Sequence, residues 1–249
     1  MWANSRLYMW TETNMNNYIF DVDGTLTEPR ATIDPDFRKC FIDYVKLEQS
    51  NNNRVYLLTG SDKDKTIEQI GTELWELVDG SYQSCGNELY VGGELVKKSE
   101  WVMSDALRMS IKNEIRKSVW NGTAENNIEE RVGMVNMSTI GRGCTLEERE
   151  YYYEWDKQWE ERKYIVERLS QQFSDVDFAI GGQISIDIYP KGKDKSQVLD
   201  DMEGEVYFVG DSCQEGGNDY AIYSKLDIFH SFWVKDFEET RKLLEANYE

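Results

Sequence analysis

The chain has 249 residues, 40% of them hydrophobic and 13% aromatic, so it can form one large globular domain or two smaller ones. Its formal net charge of −19 argues against nucleic acid as the main partner, because binding to phosphate backbones needs a basic surface. An anionic substrate would therefore need a local basic pocket. No apolar run approaches the ~20 residues that a membrane span requires, so we expect no membrane partner.

The N-terminal segment gives no strand or helix signal before Tyr18. Met15 is therefore an alternative start of translation, and we expect residues 1–14 to form a disordered extension. This segment also lacks the basic-then-apolar order of a signal peptide, and the four cysteines are far apart with no C-x-x-C pair. We therefore expect reduced thiols and a cytoplasmic protein.

The first third of the chain alternates strand and helix signals. An apolar strand at 18–20 is followed by a helix that Asp34 and Pro35 begin, and a second strand at 54–58 precedes a helix that begins near Asp62. Such alternation predicts a parallel sheet, whose strands have their carboxyl ends at one edge. Asp21, Asp23 and Thr59 directly follow the two strands, and we expect them to converge there.

The pattern changes at about residue 86. Two hairpin signals, at 89–97 and 176–189, enclose a helix, two strands near 128–138 and one long helix at about 146–170. The parallel pattern then resumes with a strand at 205–209. We therefore predict an α/β core with a parallel sheet and an inserted α+β cap with an antiparallel sheet. The predicted core covers residues 1–85 and 191–249, and the predicted cap covers residues 86–190.

The polar residues at the strand ends form a set that can transfer a phosphoryl group. An isolated Asp-x-Asp is usually a solvated turn or a helix cap, but here Thr59, Lys195 and the segment 209–222 accompany it. Asp21 and Asp211 can hold Mg²⁺, a cation that prefers oxygen ligands, and Asp21 can also attack phosphorus. Asp23 can protonate the leaving oxygen, while Lys195 and the Thr59 hydroxyl stabilise the charged phosphoryl oxygens.

These motifs, in this order, resemble those of the haloacid dehalogenase (HAD) superfamily, whose core is a Rossmann-like α/β fold. The finer resemblance is to the eukaryotic-type phosphomannomutases. It is carried by RVGMVNMSTIGRGCTLEER (131–149), GGQISIDIYPKGKDK (181–195) and VGDSCQEGGNDYAI (209–222), with a weaker match over 18–80.

The resemblance implies a role for each matching residue. Asp21 would be the nucleophile and Asp23 the acid and base, with Thr59 and Lys195 as the other catalytic residues. The implied metal ligands are Asp21, Asp23, Asp211, Asp219 and Tyr223. The implied sugar-phosphate ligands are Arg30, Arg131, Arg142, Arg149, Ser185 and Asp187.

The roles of the sugar-phosphate ligands are supported in part by the residues themselves. Three of the arginines lie within 19 residues of a strongly acidic chain, and guanidinium groups bind phosphate in a bidentate manner. Ser185 and Asp187 lie two apart on one predicted strand and so face the same way. The alternative is that the arginines are surface charges paired with Glu147, Glu148 and Glu150. That alternative explains Arg149 on a helix but not Arg131 and Arg142 on a strand and a turn.

Several positions depart from the family pattern. Thr59 replaces the family's usual glycine, which could favour hydrolysis. At the cap entrance, Gly86-Asn87-Glu88 replaces the family's Asn-Gly pair, so we expect a hinge that differs from the family's. Lys225 replaces an acidic residue of a loop that helps to coordinate a second cation in the family. Its amine either donates to the loop carbonyls that would otherwise face that ion or points into solvent on an altered loop, and both alternatives stay open.

The resemblance implies a phosphohexomutase that interconverts mannose 6-phosphate and mannose 1-phosphate for GDP-mannose biosynthesis. It also implies Mg²⁺ and a hexose 1,6-bisphosphate as cofactors, a hexose phosphate as substrate, and a homodimer formed through the caps. A Mg²⁺-dependent sugar-phosphate phosphatase would share every core residue and stays open as an alternative. The intact acidic set argues against a third possibility, a catalytically silent binding protein.

Overall fold

The computed structural model describes residues 15–120 and 126–246, and the extension predicted at residues 1–14 lies outside the described residues. The described strands form one seven-stranded sheet and one four-stranded sheet. The strands of the larger sheet are β1 (Asn16–Phe20), β2 (Arg54–Leu58), β3 (Gly80–Gln83), β4 (Glu88–Val91), β5 (Glu94–Lys98), β10 (Glu205–Gly210) and β11 (Ser231–Trp233). The smaller sheet contains β6 (Ile128–Arg131), β7 (Met134–Met137), β8 (Val176–Gly181) and β9 (Ser185–Pro190).

Helices cover both sheets, and two short 3-10 helices, Ser84–Gly86 and Lys195–Asp201, connect elements near the sheet edge. The α-helices packed with the larger sheet are α1 (Pro35–Ser50), α2 (Lys63–Ile70), α3 (Thr72–Leu77), α7 (Tyr220–Tyr223) and α8 (Phe237–Ala246). Those packed with the smaller sheet are α4 (Asp105–Lys117), α5 (Leu146–Trp159) and α6 (Glu161–Ser170). The helix predicted after Asp34 is confirmed, and the Asp34 carboxylate caps it by accepting from the backbone N–H groups of Asp36 and Phe37.

The larger sheet has the strand order β11-β10-β1-β2-β3-β4-β5, and its first five strands are parallel. The predicted parallel sheet is therefore confirmed. The central strands β1, β2 and β10 bury apolar side chains on both faces, as strands covered by helices on both sides must. Their carboxyl ends lie at one edge and place Asp21, Thr59 and Asp211 there.

The hairpin formed by β4 and β5 belongs to the core sheet rather than to the cap. Its prediction as part of the cap is wrong, because two strands around Gly92-Gly93 give the same sequence signal in either sheet. In the structure, β4 pairs antiparallel with β3, from Ser81 opposite Tyr90 to Gln83 opposite Glu88. The hairpin therefore extends the parallel sheet at its edge, and the smaller sheet begins only with β6.

The smaller sheet is antiparallel, with the order β6-β7-β9-β8, as predicted for the cap. One side of it packs with α4 and α6 around a separate apolar cluster that includes Ile111, Ile165 and Ile188. The long helix predicted over 146–170 is wrong in one respect. Glu160 adopts a left-handed conformation with φ 53° and divides it into α5 and α6.

The cap contacts the core directly at the edge where the parallel strands end. The Ile180 N–H at the end of β8 donates to the Gly216 carbonyl at 3.0 Å, and Lys65 of α2 forms an ion pair of 2.7 Å with Glu129 of β6. All four cysteines are free thiols. Among residues 15–120 and 126–246, no helix combines the length and the apolar character needed to cross a membrane.

Candidate active site

Three carboxylates meet at the carboxyl ends of β1 and β10. Asp21 follows β1, Asp211 follows β10, and Asp219 precedes α7; one oxygen of each lies within 4.8 Å of the others. The buried Lys195 amine, which is 1% exposed, donates to Asp21 Oδ1 at 2.5 Å and to Asp219 Oδ1 at 2.7 Å. The sequence predicted all four residues, and the structure brings them into one cluster.

The electrostatics of this cluster favour a bound cation. Burial, reinforced by Asp219 and Asp211, raises the pKa of Asp21 well above its usual value despite the opposing effect of Lys195. Burial and the Asp219 charge raise the pKa of Asp211 to about 7. One lysine therefore does not balance three carboxylates, of which Asp21 and Asp219 are buried and Asp211 is partly buried. A hard divalent cation would supply the missing positive charge, and carboxylate oxygens are the ligands it prefers.

Gly24 allows the two strand ends to approach each other. Its backbone has φ +90°, and a Cβ at this position would lie 2.4 Å from Asp211 Oδ2. A side chain here would therefore displace the carboxylate that follows β10. This requirement explains the glycine of the Asp-Val-Asp-Gly segment.

Asp23 is held in a hydrogen-bond network of its own. Its Oδ1 accepts from the Arg30 backbone N–H and from Gln69 Nε2, both at 2.8 Å, and its Oδ2 accepts from the Ser61 hydroxyl at 3.3 Å. The carboxylate is not part of the acidic cluster, so the role of Asp23 as a metal ligand stays a prediction. Thr59 is buried nearby, and its hydroxyl accepts from the Ser61 N–H at 3.0 Å.

The predicted arginines gather on the opposite side of the same space. Arg131 ends β6, Arg142 lies in the loop after β7, Arg149 lies on α5, and Arg30 lies on the core loop after β1. Arg131 donates to the Gly60 carbonyl of the core, and Arg142 donates to Ser185 Oγ at 3.2 Å. The alternative of surface charges paired with neighbouring glutamates on α5 therefore fails for Arg131 and Arg142.

The arginine cluster has unused capacity for an anion. Burial, together with Arg131 and Arg30, lowers the pKa of Arg142 to about 10. Burial also lowers the pKa of Arg149, which is 7% exposed. Arg149 Nη2 and Arg131 Nε are buried without a hydrogen-bond partner among the described residues. Unpartnered buried donors are costly, so these groups are suited to a phosphate that supplies the acceptors.

Glu129 is a site residue that the sequence analysis missed. Its carboxylate lies between Arg131, Arg142 and the core residue Lys65, and it forms ion pairs with all three. Although burial opposes the effect, Arg131, Lys65 and Arg142 lower the pKa of Glu129 to about 2. The sequence did contain a signal for this ion pair, because Glu129 and Arg131 lie two apart on one strand and therefore on the same face.

We expect Glu129→Gln to destabilise the protein in a pH-dependent manner. Since the folded-state pKa of Glu129 lies below the usual 4.5, its stabilising effect is full above pH 4.5 and is lost as the pH falls towards 2. The difference in unfolding free energy between wild type and Glu129→Gln should therefore shrink over this range in denaturant titrations. The exposed Glu76→Gln is the control, and a difference that does not change with pH would contradict the ion-pair assignment.

The remaining sugar-ligand candidates also face this space. Ser185 and Asp187 on β9 lie on one face, as predicted, and Asp187 accepts from Asn136 Nδ2 at 2.7 Å. Arg162 was not predicted. It forms a buried ion pair of 2.6 Å with Asp156 and donates to the Gly182 carbonyl at 2.8 Å, which holds the turn before β9. Its position in an acidic, aromatic helix gave no sign of this role.

The space between core and cap is a cavity of about 590 Å³. Ten of the predicted site residues line it: Asp21, Asp23, Arg30, Thr59, Arg131, Arg142, Arg149, Ser185, Asp187 and Asp211. Lys195 and Asp219 are buried next to Asp21. The cavity therefore has an acidic end on the core and a basic end formed mainly by the cap.

Tyr223 and Lys225 lie beyond the acidic end. The Tyr223 N–H donates to the Asp219 carbonyl at 3.0 Å, and its role as a metal ligand stays a prediction. The Lys225 amine donates to Ser196 Oγ at 2.7 Å. Its predicted contact with loop carbonyls is therefore wrong, because the side chain points towards the helix that begins at Lys195.

The comparisons with known proteins agree with this arrangement. Residues 43–249 match the model of a family described as eukaryotic phosphomannomutase. The chain belongs to this family. It is 36% identical to a phosphomannomutase of Encephalitozoon cuniculi over 245 residues, which cover 92% of each chain. The phosphomannomutase of Saccharomyces cerevisiae is also 36% identical, over 242 residues that cover 91% of each chain.

Solved structures place this phosphomannomutase-family chain in the HAD fold. A trehalose-6-phosphate phosphatase C-terminal domain of C. albicans superimposes with a TM-score of 0.62 at 14% identity, over 94% of this chain and 92% of that one. A HAD subclass IIB sugar phosphatase has a TM-score of 0.54 at 15% identity over 84% of each chain. At such identities the likeness concerns the fold, and it confirms the predicted Rossmann-like HAD core with an inserted cap.

Proposed function

We propose that this chain is a phosphomannomutase that interconverts mannose 6-phosphate and mannose 1-phosphate through a phosphorylated Asp21. One observation carries the proposal: a single cavity has two separate places for phosphate. Asp21 with its carboxylate cluster lies at one end, and the arginines Arg131, Arg142 and Arg149 lie at the other. A mutase needs both, because the sugar must bind in two orientations. Membership in the family supports the choice of a mannose phosphate as substrate.

The core residues can perform both halves of such a transfer. The Asp21 carboxylate attacks phosphorus and forms an acyl phosphate while the bond to the sugar oxygen breaks. Asp23 donates a proton to that oxygen and takes one back from the sugar hydroxyl that later attacks the acyl phosphate. The Lys195 amine beside Asp21 and the Thr59 hydroxyl stabilise the phosphoryl oxygens.

We propose that Asp21, Asp211 and Asp219 hold a Mg²⁺ ion. The unbalanced negative charge of these carboxylates fits a divalent cation, and their oxygen atoms are ligands that Mg²⁺ prefers. Mg²⁺ bound there would neutralise part of the phosphate charge and so make phosphorus more accessible to a carboxylate. Lys195 opposes the protonation of Asp21 and orients its carboxyl group, because it donates to Asp21 Oδ1 and is itself fixed by Asp219.

The cap serves the reaction in two ways. Its arginines bind the phosphate that is not reacting, and its contacts with the core at Gly216 and Lys65 close the cavity. A closed cavity keeps water from the acyl phosphate, which would otherwise be hydrolysed. A hexose 1,6-bisphosphate would prime the cycle by phosphorylating Asp21 and is regenerated in each turnover.

Two further proposals rest on the family resemblance alone. We propose that the protein forms a homodimer through its caps and acts in the cytoplasm in GDP-mannose biosynthesis. Sedimentation equilibrium of the full chain tests the dimer, since a monomeric mass at micromolar concentration would contradict it. Fractionation of cells that express the protein tests its location.

The product formed from mannose 1-phosphate tests the proposed function. ³¹P NMR follows a mixture of the protein, Mg²⁺, mannose 1-phosphate and a catalytic amount of hexose 1,6-bisphosphate. We expect mannose 6-phosphate to appear with little inorganic phosphate. Inorganic phosphate as the main product would instead identify a sugar-phosphate phosphatase, the alternative that shares the same core residues.

A further inference from the structure

We propose that Gln69 is a positioning residue for Asp23, and that it leaves Asp23 Oδ2 as the oxygen that exchanges a proton with the substrate. This proposal rests on the role of Asp23 as acid and base in the proposed function. It adds a residue and an atom to that role: Gln69, on α2, and one particular oxygen of the carboxyl group.

The two oxygens of Asp23 have different surroundings. Oδ1 accepts two hydrogen bonds of 2.8 Å, from the Arg30 backbone N–H and from Gln69 Nε2. Among the residues that the structure describes, Oδ2 accepts only from the Ser61 hydroxyl, at 3.3 Å. Two short donors fix Oδ1 and occupy its lone pairs. The proton must therefore reside on Oδ2, and the Ser61 hydroxyl can stay in place because it both donates and accepts.

Gln69 is itself held firmly. The side chain is 6% exposed, and Nε2 also donates to Thr27 Oγ1 at 3.3 Å. The Gln69 carbonyl accepts from the Ile33 N–H at 2.8 Å, which ties α2 to the loop after β1. Since a carboxylate only accepts, the amide nitrogen of Gln69 must face Asp23. Gln69 thus sets the direction of the Asp23 carboxyl group from a neighbouring helix.

The second donor connects Asp23 to the substrate site. Arg30 adopts a left-handed conformation with φ 62°, and this conformation brings its N–H to Asp23 Oδ1. Its side chain lines the cavity together with the cap arginines. In the transfer step the Asp21–phosphorus bond forms, the bond from phosphorus to the leaving oxygen breaks, and the proton on Asp23 Oδ2 passes to that oxygen. Gln69 and Arg30 hold Oδ2 in line for this proton.

A pair of aryl phosphates tests the proposal, because 4-nitrophenolate leaves without a proton whereas phenolate benefits from one. We compare kcat/KM for 4-nitrophenyl phosphate and phenyl phosphate in wild type, Gln69→Leu and Gln69→Met. We expect both variants to lose about tenfold on phenyl phosphate, part of the roughly 10²–10⁴-fold effect of positioned proton transfer. The rate on 4-nitrophenyl phosphate should change less than about threefold, since that leaving group needs no acid.

Gln49→Leu is the matched control, because Gln49 Nε2 also donates to a carboxylate, Asp79 Oδ2 at 3.2 Å, but lies outside the cavity. It should leave the ratio of the two rates unchanged. Equal losses on both esters in a Gln69 variant would overturn the positioning role. Gln69→Met keeps the length of the side chain and removes the donors, and it decides the matter if Gln69→Leu does not fold. Asp23→Asn separates failure of the Gln69 proposal from failure of the proposed function. If Asp23→Asn also leaves the ratio of the rates on the two esters unchanged, then Asp23 is not the acid and base.

Discussion

Replacing Asp21 by asparagine is expected to abolish turnover while the fold is retained. An amide cannot form the acyl phosphate, so we expect kcat to fall by more than ~10³-fold, as measured for other removed nucleophiles. The fold should persist because burial and the neighbouring Asp211 and Asp219 already disfavour the charged form of Asp21. The asparagine oxygen can still accept from Lys195, whose amine lies 2.5 Å from Asp21 Oδ1.

The measurement is turnover of mannose 1-phosphate, with the melting temperature recorded for the same sample. Asp79→Asn is the control, since Asp79 also accepts hydrogen bonds inside the core, from Val55 and Gln49, but does not line the cavity. It should keep nearly full activity. An Asp21→Asn protein with more than a few per cent of wild-type activity would rule out Asp21 as the nucleophile.

Removing a cap arginine is expected to impair the mutase reaction selectively. Arg149→Ala removes a buried guanidinium whose Nη2 has no hydrogen-bond partner among the described residues, so this donor is free to bind a phosphate. A charge-assisted hydrogen bond to phosphate is worth roughly 1.5–3 kcal/mol, or about tenfold to a hundredfold in binding. We expect a loss of this size in kcat/KM for the mutase reaction. Arg142→Ala should behave likewise but also lose stability, because Arg142 pairs with Glu129.

Hydrolysis of 4-nitrophenyl phosphate provides the comparison, since this small substrate has no second phosphate to occupy the basic end. Its rate should change little in either variant. Arg108→Ala is the control and should leave both reactions unchanged, because Arg108 is a partly exposed cap arginine that pairs with Glu130 and does not line the cavity. Equal losses on the two substrates would mean that Arg142 and Arg149 support folding or closure rather than phosphate binding.

The sequence predicted the elements whose signals are local. Alternation of apolar strands and amphipathic helices placed β1, β2 and β10 in a parallel sheet, and the position of Asp21 directly after a strand placed it at the sheet edge. The sheet to which a hairpin belongs is not a local property. The signal of β4 and β5 is the same in core and cap, and only the pairing of β4 with β3 decides it.

The site residues that lie in recognisable motifs were predictable from the sequence. Those that reach the site only through packing between distant parts of the chain were not. Asp21, Lys195 and Asp211 belong to ordered motifs, and Arg131 and Arg142 stand out in an acidic chain. Gln69, by contrast, lies between Glu68 and Ile70 of α2 with no motif around it, and only the fold brings its amide to Asp23, 46 positions away in sequence. Arg162 and Asp156 likewise form their ion pair only because the left-handed Glu160 ends α5 and begins α6 between them.

Transfer of a labelled phosphoryl group through Asp21 is the most direct test of the central claim. The protein is mixed with ³²P-labelled hexose 1,6-bisphosphate and quenched, and the peptide that contains Asp21 is analysed for label. A second portion is chased with unlabelled mannose 1-phosphate before quenching. If Asp21 is the nucleophile of a mutase, we expect label on Asp21 that the chase moves into mannose 1,6-bisphosphate. Label that passes into inorganic phosphate, or a peptide that never carries label, would contradict this role.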